Sequence, residues 1–286
     1  MENANQTIRP KIGTQHLLIG LLFLAFLLAF YPVWRQLVLT WYESEEYSHG
    51  FLIIPVSLYI IWTKRDRLMF GQGATTALGF FLVVLSLLIY IFSQLSGILT
   101  LQSVSMMLFI FSGVYYLFGA KTFKQLLFPL LFLLFMIPIP SQIYSAMTIP
   151  LQLFVSKASV GFVKLLEVPV FLEGNIIHLP GQTLEVVQAC SGLRSMTSLV
   201  TLSAVFAYFT LKTNVLRGIL FVAGVPVAVL VNVIRVVMMI CAFHFLNYDL
   251  TEGTLHTVFG VLIFIISLLL IFLLGRGLSR WDKSVA

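Results

Sequence analysis

The stretch 215-VLRGILFVAGVPVAVLVNVIRVVMMICAFHF-245 is a long apolar run whose only charged side chains are Arg217 and Arg235. A helix needs about 20 apolar residues to cross a bilayer, so this stretch predicts a transmembrane helix. The whole chain follows the same pattern. Of its 286 residues, 59% are hydrophobic and 10% are charged, with a mean hydropathy of +1.02. Soluble domains carry about 25% charged residues, so we predict a polytopic integral membrane protein.

The apolar stretches predict an all-α bundle of about eight transmembrane helices. No Gly-, Ser- or Pro-rich linker interrupts the chain, so we predict a single domain over residues 1–286. No small-residue cleavage site follows the first stretch, which favours a retained helix over a signal peptide. The eight stretches are residues 16–34, 49–63, 77–95, 98–119, 124–139, 191–211, 215–245 and 255–275.

The net charge of +6 is explained by membrane topology and gives no reason to expect a nucleic-acid partner. Lys and Arg gather on the cytoplasmic side of membrane proteins. When the N-terminus is placed inside, the inner segments hold Arg9, Lys11, Lys64, Arg65, Arg67, Lys121, Lys124, Lys212, Arg217, Arg276, Arg280 and Lys283. We therefore predict a multi-pass protein of the cytoplasmic (inner) membrane, in contact with its lipids and with both termini in the cytoplasm.

Residues 140–190 are then expected to begin and end on the outer face. Residues 141–166 are apolar with interspersed lysines, which favours an amphipathic helix lying in the interface and leaves a pair of short crossings as the alternative. Residues 168–187 alternate apolar segments with Glu-Gly-Asn and Pro-Gly-Gln. Such turn signals predict short strands, so we expect a small β-like outer loop directly before Cys190.

Cys190, Arg235 and His256 are expected at one depth, near the outer face. Cys190 and His256 each begin a span that enters from outside. Arg235 lies in the span that enters from inside, about 26 Å above Gly218 at 1.5 Å per residue. This rise is close to the thickness of the hydrocarbon core. The three side chains can therefore meet at the outer boundary of the membrane.

These three residue types suit acyl transfer by a thiol. A thiol needs a base or a lowered pKa to attack an acyl carbon. His256 could hold the thiolate as an ion pair, or act as general base and then as general acid. Arg235 could donate hydrogen bonds to the developing oxyanion. This chemistry requires no cofactor and no metal.

Each of these residues also has a structural interpretation. A cysteine in a membrane helix is most often a small apolar filler, and we interpret Cys241 in this way. Arg235 could be a structural partner for Asn232 or for a carboxylate on the outer side, although charges within spans are costly and usually functional. His256 could merely end its helix, and His244 is a rival for the role of base. A metal site from Cys190, His256 and His244 is a further alternative that lacks close ligand spacing.

Four further residues are candidates for substrate binding. Arg194 follows Cys190 by one helical turn and could pair with Glu185 or bind an anionic group of the substrate. Ser191 and Gly192 stand beside the thiol at the start of the span, where a helix N-terminus favours an anion. His49 is expected on the outer face, where it could bind substrate or merely end a helix.

At these positions the chain resembles the exosortase/archaeosortase family of integral membrane transpeptidases. The matching elements occur in family order and cover residues 45–275. They are Tyr47-Ser-His-Gly50, Phe128-Pro-Leu-Leu-Phe-Leu-Leu-Phe-Met-Ile-Pro-Ile-Pro140, Ala189-Cys-Ser-Gly-Leu-Arg194, Asn232-Val-Ile-Arg235 and His256-Thr-Val-Phe-Gly260.

The resemblance implies a Cys/Arg/His active site made of Cys190, Arg235 and His256. It implies membrane-anchored substrates with a C-terminal tail: a Pro-Glu-Pro motif (PEP-CTERM), a transmembrane helix and a basic cluster. Cleavage at the outer face would pass through a thioester to an unknown acyl acceptor, in a cell that exports exopolysaccharide. The fused C-terminal soluble domain of some members is not expected after residue 275, so an accessory would be a separate protein.

Two other functions remain open from sequence. The same acyl-enzyme could be resolved by water, which makes the protein a plain cysteine peptidase. In a different class, the chain could be a transporter or polysaccharide-export component with no peptidase activity, in which Arg235 and His256 line a pathway. Transporters often have internal repeats, and this sequence has none that we detect.

Overall fold

A computed structural model describes residues 12–44, 46–67, 76–186, 192–248, 250 and 253–284. The described chain is mainly helical, with one small sheet. The helices are α1 (Ile12–Ala29), α2 (Tyr31–Glu43), α3 (Gly50–Thr63), α4 (Ala77–Ser96), α5 (Leu99–Phe132), α6 (Ser141–Lys164), α7 (Gly192–Thr210), α8 (Asn214–Leu246) and α9 (Gly253–Ser284). Short 3-10 turns cover Arg65–Arg67 and Leu133–Met136, and the strands are β1 (Phe171–Glu173), β2 (Ile176–Leu179) and β3 (Gln182–Glu185).

The prediction of a helical membrane protein is confirmed. Among the described residues, α4, α5 with its following turn, α6, α8 and α9 are long and apolar enough to cross a membrane. The bent pair α1 and α2 makes a sixth candidate. Helix α3 and the segment Met196–Thr210 of α7 are apolar but shorter. By length and composition the described residues thus support five or six spans when α5 is counted once, where the sequence predicts about eight.

The chain divides into two compact units, Met1–Pro138 and Ile139–Ala286. In the first unit, α5 is a helical hairpin. Its backbone leaves the helical region at Gly119, with φ 76° and ψ 173°. The hydroxyl of Thr100, at the start of α5, donates to the carbonyl of Pro138, just past its end, at 2.7 Å. The two halves therefore run antiparallel, as expected for two separate stretches at 98–119 and 124–139.

The first predicted span, residues 16–34, is wrong at its outer end. Helix α1 ends at Ala29, and α2 leaves it at an angle of 69°. Pro32 lies in the first turn of α2, where its missing N–H costs no helical hydrogen bond. Helix α2 then buries Val33, Leu37 and Trp41, which lie on one face at a spacing of four residues.

In the second unit, α8 is the central helix and packs against α6, α7 and α9. Helix α6 is one continuous element of 24 residues. A pair of crossings within residues 141–166 is therefore wrong, while an interfacial helix and a single crossing both remain compatible with its length. The hydroxyl of Ser159 on α6 donates to the carbonyl of Val233 on α8 at 3.4 Å.

The sheet follows α6 and is an antiparallel meander in the order β1-β2-β3. Gly174 and Gly181, with φ of 60° and 90°, stand in its two turns, where a positive φ favours glycine. Ile177 and Leu184 from the sheet are buried in one apolar cluster with Val236, Met239 and Ile240 of α8. The sheet is thus anchored on α8, directly beyond Arg235.

Candidate active site

Arg235 and His256 lie in contact in the second unit. Arg235 is on α8 and only 3% exposed, although it carries a charge. His256 is in the first turn of α9, which begins at Gly253 with φ 75°. The guanidinium Nη2 of Arg235 lies 3.3 Å from the imidazole Nε2 of His256. Two residues 21 positions apart in sequence are thereby joined across the α8–α9 interface.

The hydrogen bonds of the His256 ring define its tautomer. Nδ1 lies 2.9 Å from the carbonyl oxygen of Leu250. A carbonyl only accepts hydrogen bonds, so Nδ1 carries the proton and donates it. A guanidinium only donates, so Nε2 accepts from Arg235 and carries a lone pair. The geometry therefore corresponds to a neutral imidazole whose basic nitrogen is Nε2.

Gly260 makes room for this contact. It lies one turn after His256 on the same face of α9. A Cβ built at Gly260 would lie 3.5 Å from Nη2 of Arg235, which is ordinary van der Waals contact. The guanidinium therefore passes over a residue with no side chain, and a side chain larger than that of alanine would meet it.

The arrangement provides two of the parts that thiol acyl transfer needs. His256 carries its basic lone pair at Nε2, where it accepts from Arg235, and the ring is oriented from its other nitrogen by Leu250, as a base in a catalytic triad is oriented by its third member. Arg235 presents several N–H groups beside that nitrogen, at a buried position where donors stabilise developing charge most strongly.

The model of one protein family matches this chain: transmembrane exosortase, over residues 41–273. The chain belongs to the transmembrane exosortase family. No curated protein and no solved structure gives a significant match. The matched region contains all five sequence elements on which the resemblance rests, so the exosortase fold includes α3 and the α5 hairpin as well as α7 to α9.

The proposed nucleophile of this exosortase, Cys190, lies outside the described residues, as does Ser191. Gly192 is the first residue of α7, and Arg194 lies in that helix at a position whose side chain the structure does not describe. Farther along α7, Met196 lines a small cavity together with Arg235. Met196 follows Cys190 by six residues in the sequence.

His49 belongs to the first unit of the exosortase and precedes α3. Its imidazole is half-buried, and burial lowers its pKa, while backbone hydrogen bonds to Phe135 and Glu46 oppose that shift. Next to it, Gly50 packs on Trp41, whose indole Nε1 donates to the carbonyl of Met136 at 2.9 Å. The sequence elements around His49 and around Met136 therefore meet in one place.

Other sequence candidates have different neighbours. The ring of His244 packs edge-on against Phe245 with centroids 4.8 Å apart. Cys241 is a half-buried free thiol, and His178 pairs at 3.3 Å with Glu173 on the exposed surface of the sheet. Within the described part of the chain, no three His, Cys, Asp or Glu side chains are grouped as metal ligands.

Two features of the site were missed at the level of sequence. The carbonyl of Leu250 orients His256, but every residue has a backbone carbonyl, so the residue type does not indicate this contact. Gly260 could have been recognised from the sequence, because it follows His256 by four residues and so shares its helix face. A glycine at that spacing from a candidate base indicates a side chain approaching from a neighbouring helix.

Proposed function

We propose that this protein is a cysteine peptidase and transpeptidase that cleaves exported proteins at a C-terminal sorting tail. The observation that carries the proposal is the buried contact between Arg235 and His256, with His256 oriented by Leu250, in a chain of the transmembrane exosortase family. Cys190 is the nucleophile in this proposal.

In the first half-reaction the thiol of Cys190 gives its proton to Nε2 of His256, and its sulfur attacks the acyl carbon of the scissile peptide bond. An N–H of Arg235 turns from Nε2 to the oxyanion that forms. The C–N bond then breaks, and the leaving amine takes the proton from His256. The products are a thioester on Cys190 and the released tail.

In the second half-reaction an acceptor attacks the thioester carbon. His256 takes the proton of the acceptor and returns it to the departing sulfur of Cys190. An amine or hydroxyl acceptor makes the protein a transpeptidase, whereas water makes it a peptidase. The mass of the mature product distinguishes the two, because transfer adds the mass of the acceptor.

The substrate in this proposal carries a Pro-Glu-Pro motif, a transmembrane helix and a basic cytoplasmic cluster. Such a tail, threaded with its basic end inside, presents the motif at the outer boundary of the membrane. Arg194 then binds the glutamate of the motif, with Lys157 and Lys164 on α6 as the other outer cations. Ser191 and Gly192 complete the binding surface in the second unit, and His49 is a separate substrate-binding candidate in the first unit. In this proposal the activity is linked to exopolysaccharide and biofilm export.

The test is cleavage of a tagged, tail-bearing protein co-expressed in membranes with single variants. Cys190→Ala, Cys190→Ser and His256→Ala are expected to lose activity by about 1,000-fold or more, and Arg235→Ala by about 100-fold or more. Cys241→Ala and His244→Ala are the matched controls and should cleave normally. Arg194→Ala should raise KM more than it lowers kcat. Normal cleavage by Cys190→Ala would contradict the proposal.

A further inference from the structure

A small cavity lies between α7, α8 and α9, on the side of Arg235 away from the sheet. Its walls are mostly apolar and include Met196, Leu199, Ile263 and Phe264. Three polar side chains also line it: Asn232 and Arg235 from α8, and Ser267 from α9. About 10 Å³ is open to the centre of a water-sized sphere, which is close to the smallest space that holds one water molecule.

The hydrogen-bonding groups of this cavity are matched to a single water. The side-chain oxygen Oδ1 of Asn232 is buried and accepts no hydrogen bond from any described residue. Ser267 is 4% exposed, and its hydroxyl hydrogen is used on the carbonyl of Ile263 at 2.9 Å. Its oxygen therefore still has a lone pair to offer. Arg235 has only donors.

We propose that this cavity is a water site through which Asn232 and Ser267 position Arg235 on His256. One water accepts a hydrogen bond from the guanidinium and donates its two hydrogens to Oδ1 of Asn232 and Oγ of Ser267. It thereby makes three hydrogen bonds, the usual number for a buried water. The bound water satisfies the Asn232 oxygen, whose burial without a partner is costly.

The consequence for the reaction concerns orientation. The water holds the guanidinium on the side that faces the cavity. Nη2 then points at Nε2 of His256, 3.3 Å away. Asn232 and Ser267 are thus positioning residues, which act through Arg235 and do not touch the substrate. This role rests on the proposed function for its effect on rate, but the geometry itself can be tested without catalysis.

The first readout is the state of His256, measured by nitrogen NMR on protein labelled with 15N-histidine. His256→Ala identifies the signals. The wild type is expected to give the neutral tautomer with the proton on Nδ1. Asn232→Leu keeps the size of the side chain and removes the acceptor, so the Nε2 signal should shift as the Arg235 contact is lost. Asn232→Asp keeps an acceptor oxygen in place and should leave the tautomer unchanged.

The second readout is cleavage of the tail-bearing substrate. Asn232→Leu should lower kcat/KM by about 10- to 100-fold, mainly through kcat, and Ser267→Ala by about three- to ten-fold, because each removes a hydrogen bond to a group that anchors a charge. Ser203→Ala is the matched control, since Ser203 is fully buried on α7 and does not line the cavity.

The outcomes separate this inference from the proposed function. If the wild type fails to cleave, the proposed function fails, and the NMR comparison still decides the positioning role. Unchanged His256 signals in both Asn232→Leu and Ser267→Ala would overturn the inference even if cleavage requires Cys190. Ser267→Ala and Asn232→Asp keep the test decisive if Asn232→Leu is poorly inserted.

Discussion

The contact between Arg235 and His256 accounts for two polar side chains at positions of α8 and α9 where apolar side chains would otherwise pack. Their contact leaves His256 neutral with its basic nitrogen covered by a cation. In the proposed mechanism, the base becomes available when the guanidinium turns toward a developing negative charge. In this mechanism a single movement of the Arg235 side chain frees the base and stabilises the oxyanion. The site would therefore stay inactive until a substrate is bound.

Gly260 provides a test of this arrangement. Gly260→Ala should retain most activity, because its Cβ would lie 3.5 Å from Arg235 Nη2. Gly260→Val should displace the guanidinium and lower kcat/KM by about 100-fold, the effect of a misplacement of about 1 Å. The measurement is substrate cleavage at matched protein levels. Gly277→Val on the same helix is the control, since a Cβ there meets nothing within 4 Å; equal activity in both valine variants would contradict the prediction.

At the scale of residues, the contact between Arg235 and His256 could be anticipated because helix rise and span direction both translate into depth. The orientation of His256 could not. Leu250 acts through its carbonyl oxygen, and any residue at that position has one. Asn232 was foreseen only as a possible partner of Arg235, because its three-residue spacing identifies a shared face but not a cavity beside it.

Among the elements, the long apolar helices were the most predictable. Helices α8 and α9 contain the predicted spans 215–245 and 255–275. An apolar run of this length must satisfy its backbone hydrogen bonds within the bilayer, and a helix does so. Pro32 inside the first apolar run suggests a kink, but apolarity continues through Phe30 and Tyr31 and does not indicate a bend as large as 69°. Burial at Val33, Leu37 and Trp41 follows a helical period that indicates α2 as a separate packed element.

The junction between α7 and α8 depends on the last turns of α9. Asp282 accepts hydrogen bonds from the backbone N–H of Lys212 and from the hydroxyl of Thr213, both at 2.5 Å. Thr213 is also the N-cap residue of α8, the helix that carries Arg235. One carboxylate thereby ties together the end of α7, the start of α8 and the end of α9.

We therefore expect Asp282→Ala to lower the melting temperature of the purified protein in detergent. Thr213→Val removes one of the two hydrogen bonds and should have a smaller effect. Ser279→Ala is the control, because its exposed hydroxyl bonds only within α9, to the carbonyl of Arg276. The melting temperature should be lowest for Asp282→Ala, higher for Thr213→Val, and close to that of the wild type for Ser279→Ala. An Asp282→Ala variant as stable as Ser279→Ala would show that the junction holds without the carboxylate.

For the whole molecule, the charge distribution predicts the direction of the first unit in the membrane, and the hydrogen bonds of that unit show which of its segments lie together. The α5 hairpin places Thr100 beside Pro138, while Lys64 donates to the carbonyl of Gln125 at 2.7 Å, near the turn of the hairpin. Lys64 belongs to the basic set assigned to the cytoplasm. The turn of the hairpin is therefore expected inside and its open end outside, which makes α5 two crossings rather than one long span.

Accessibility to a membrane-impermeant thiol reagent tests this topology in full. In a Cys190→Ala/Cys241→Ala background, single cysteines replace Lys124 in the α5 hairpin, Gln142 at the start of α6 and Glu173 in β1. Gln142→Cys and Glu173→Cys should react in intact cells, because both ends of an interfacial α6 lie outside. Lys124→Cys should react only after permeabilisation. Labelling of Gln142→Cys and Glu173→Cys from opposite faces would mean that α6 crosses the membrane. If it is Glu173→Cys that reacts only from inside, the sheet lies in the cytoplasm, and a sorting tail with a basic cytoplasmic end could not present its motif beside Arg235 and His256.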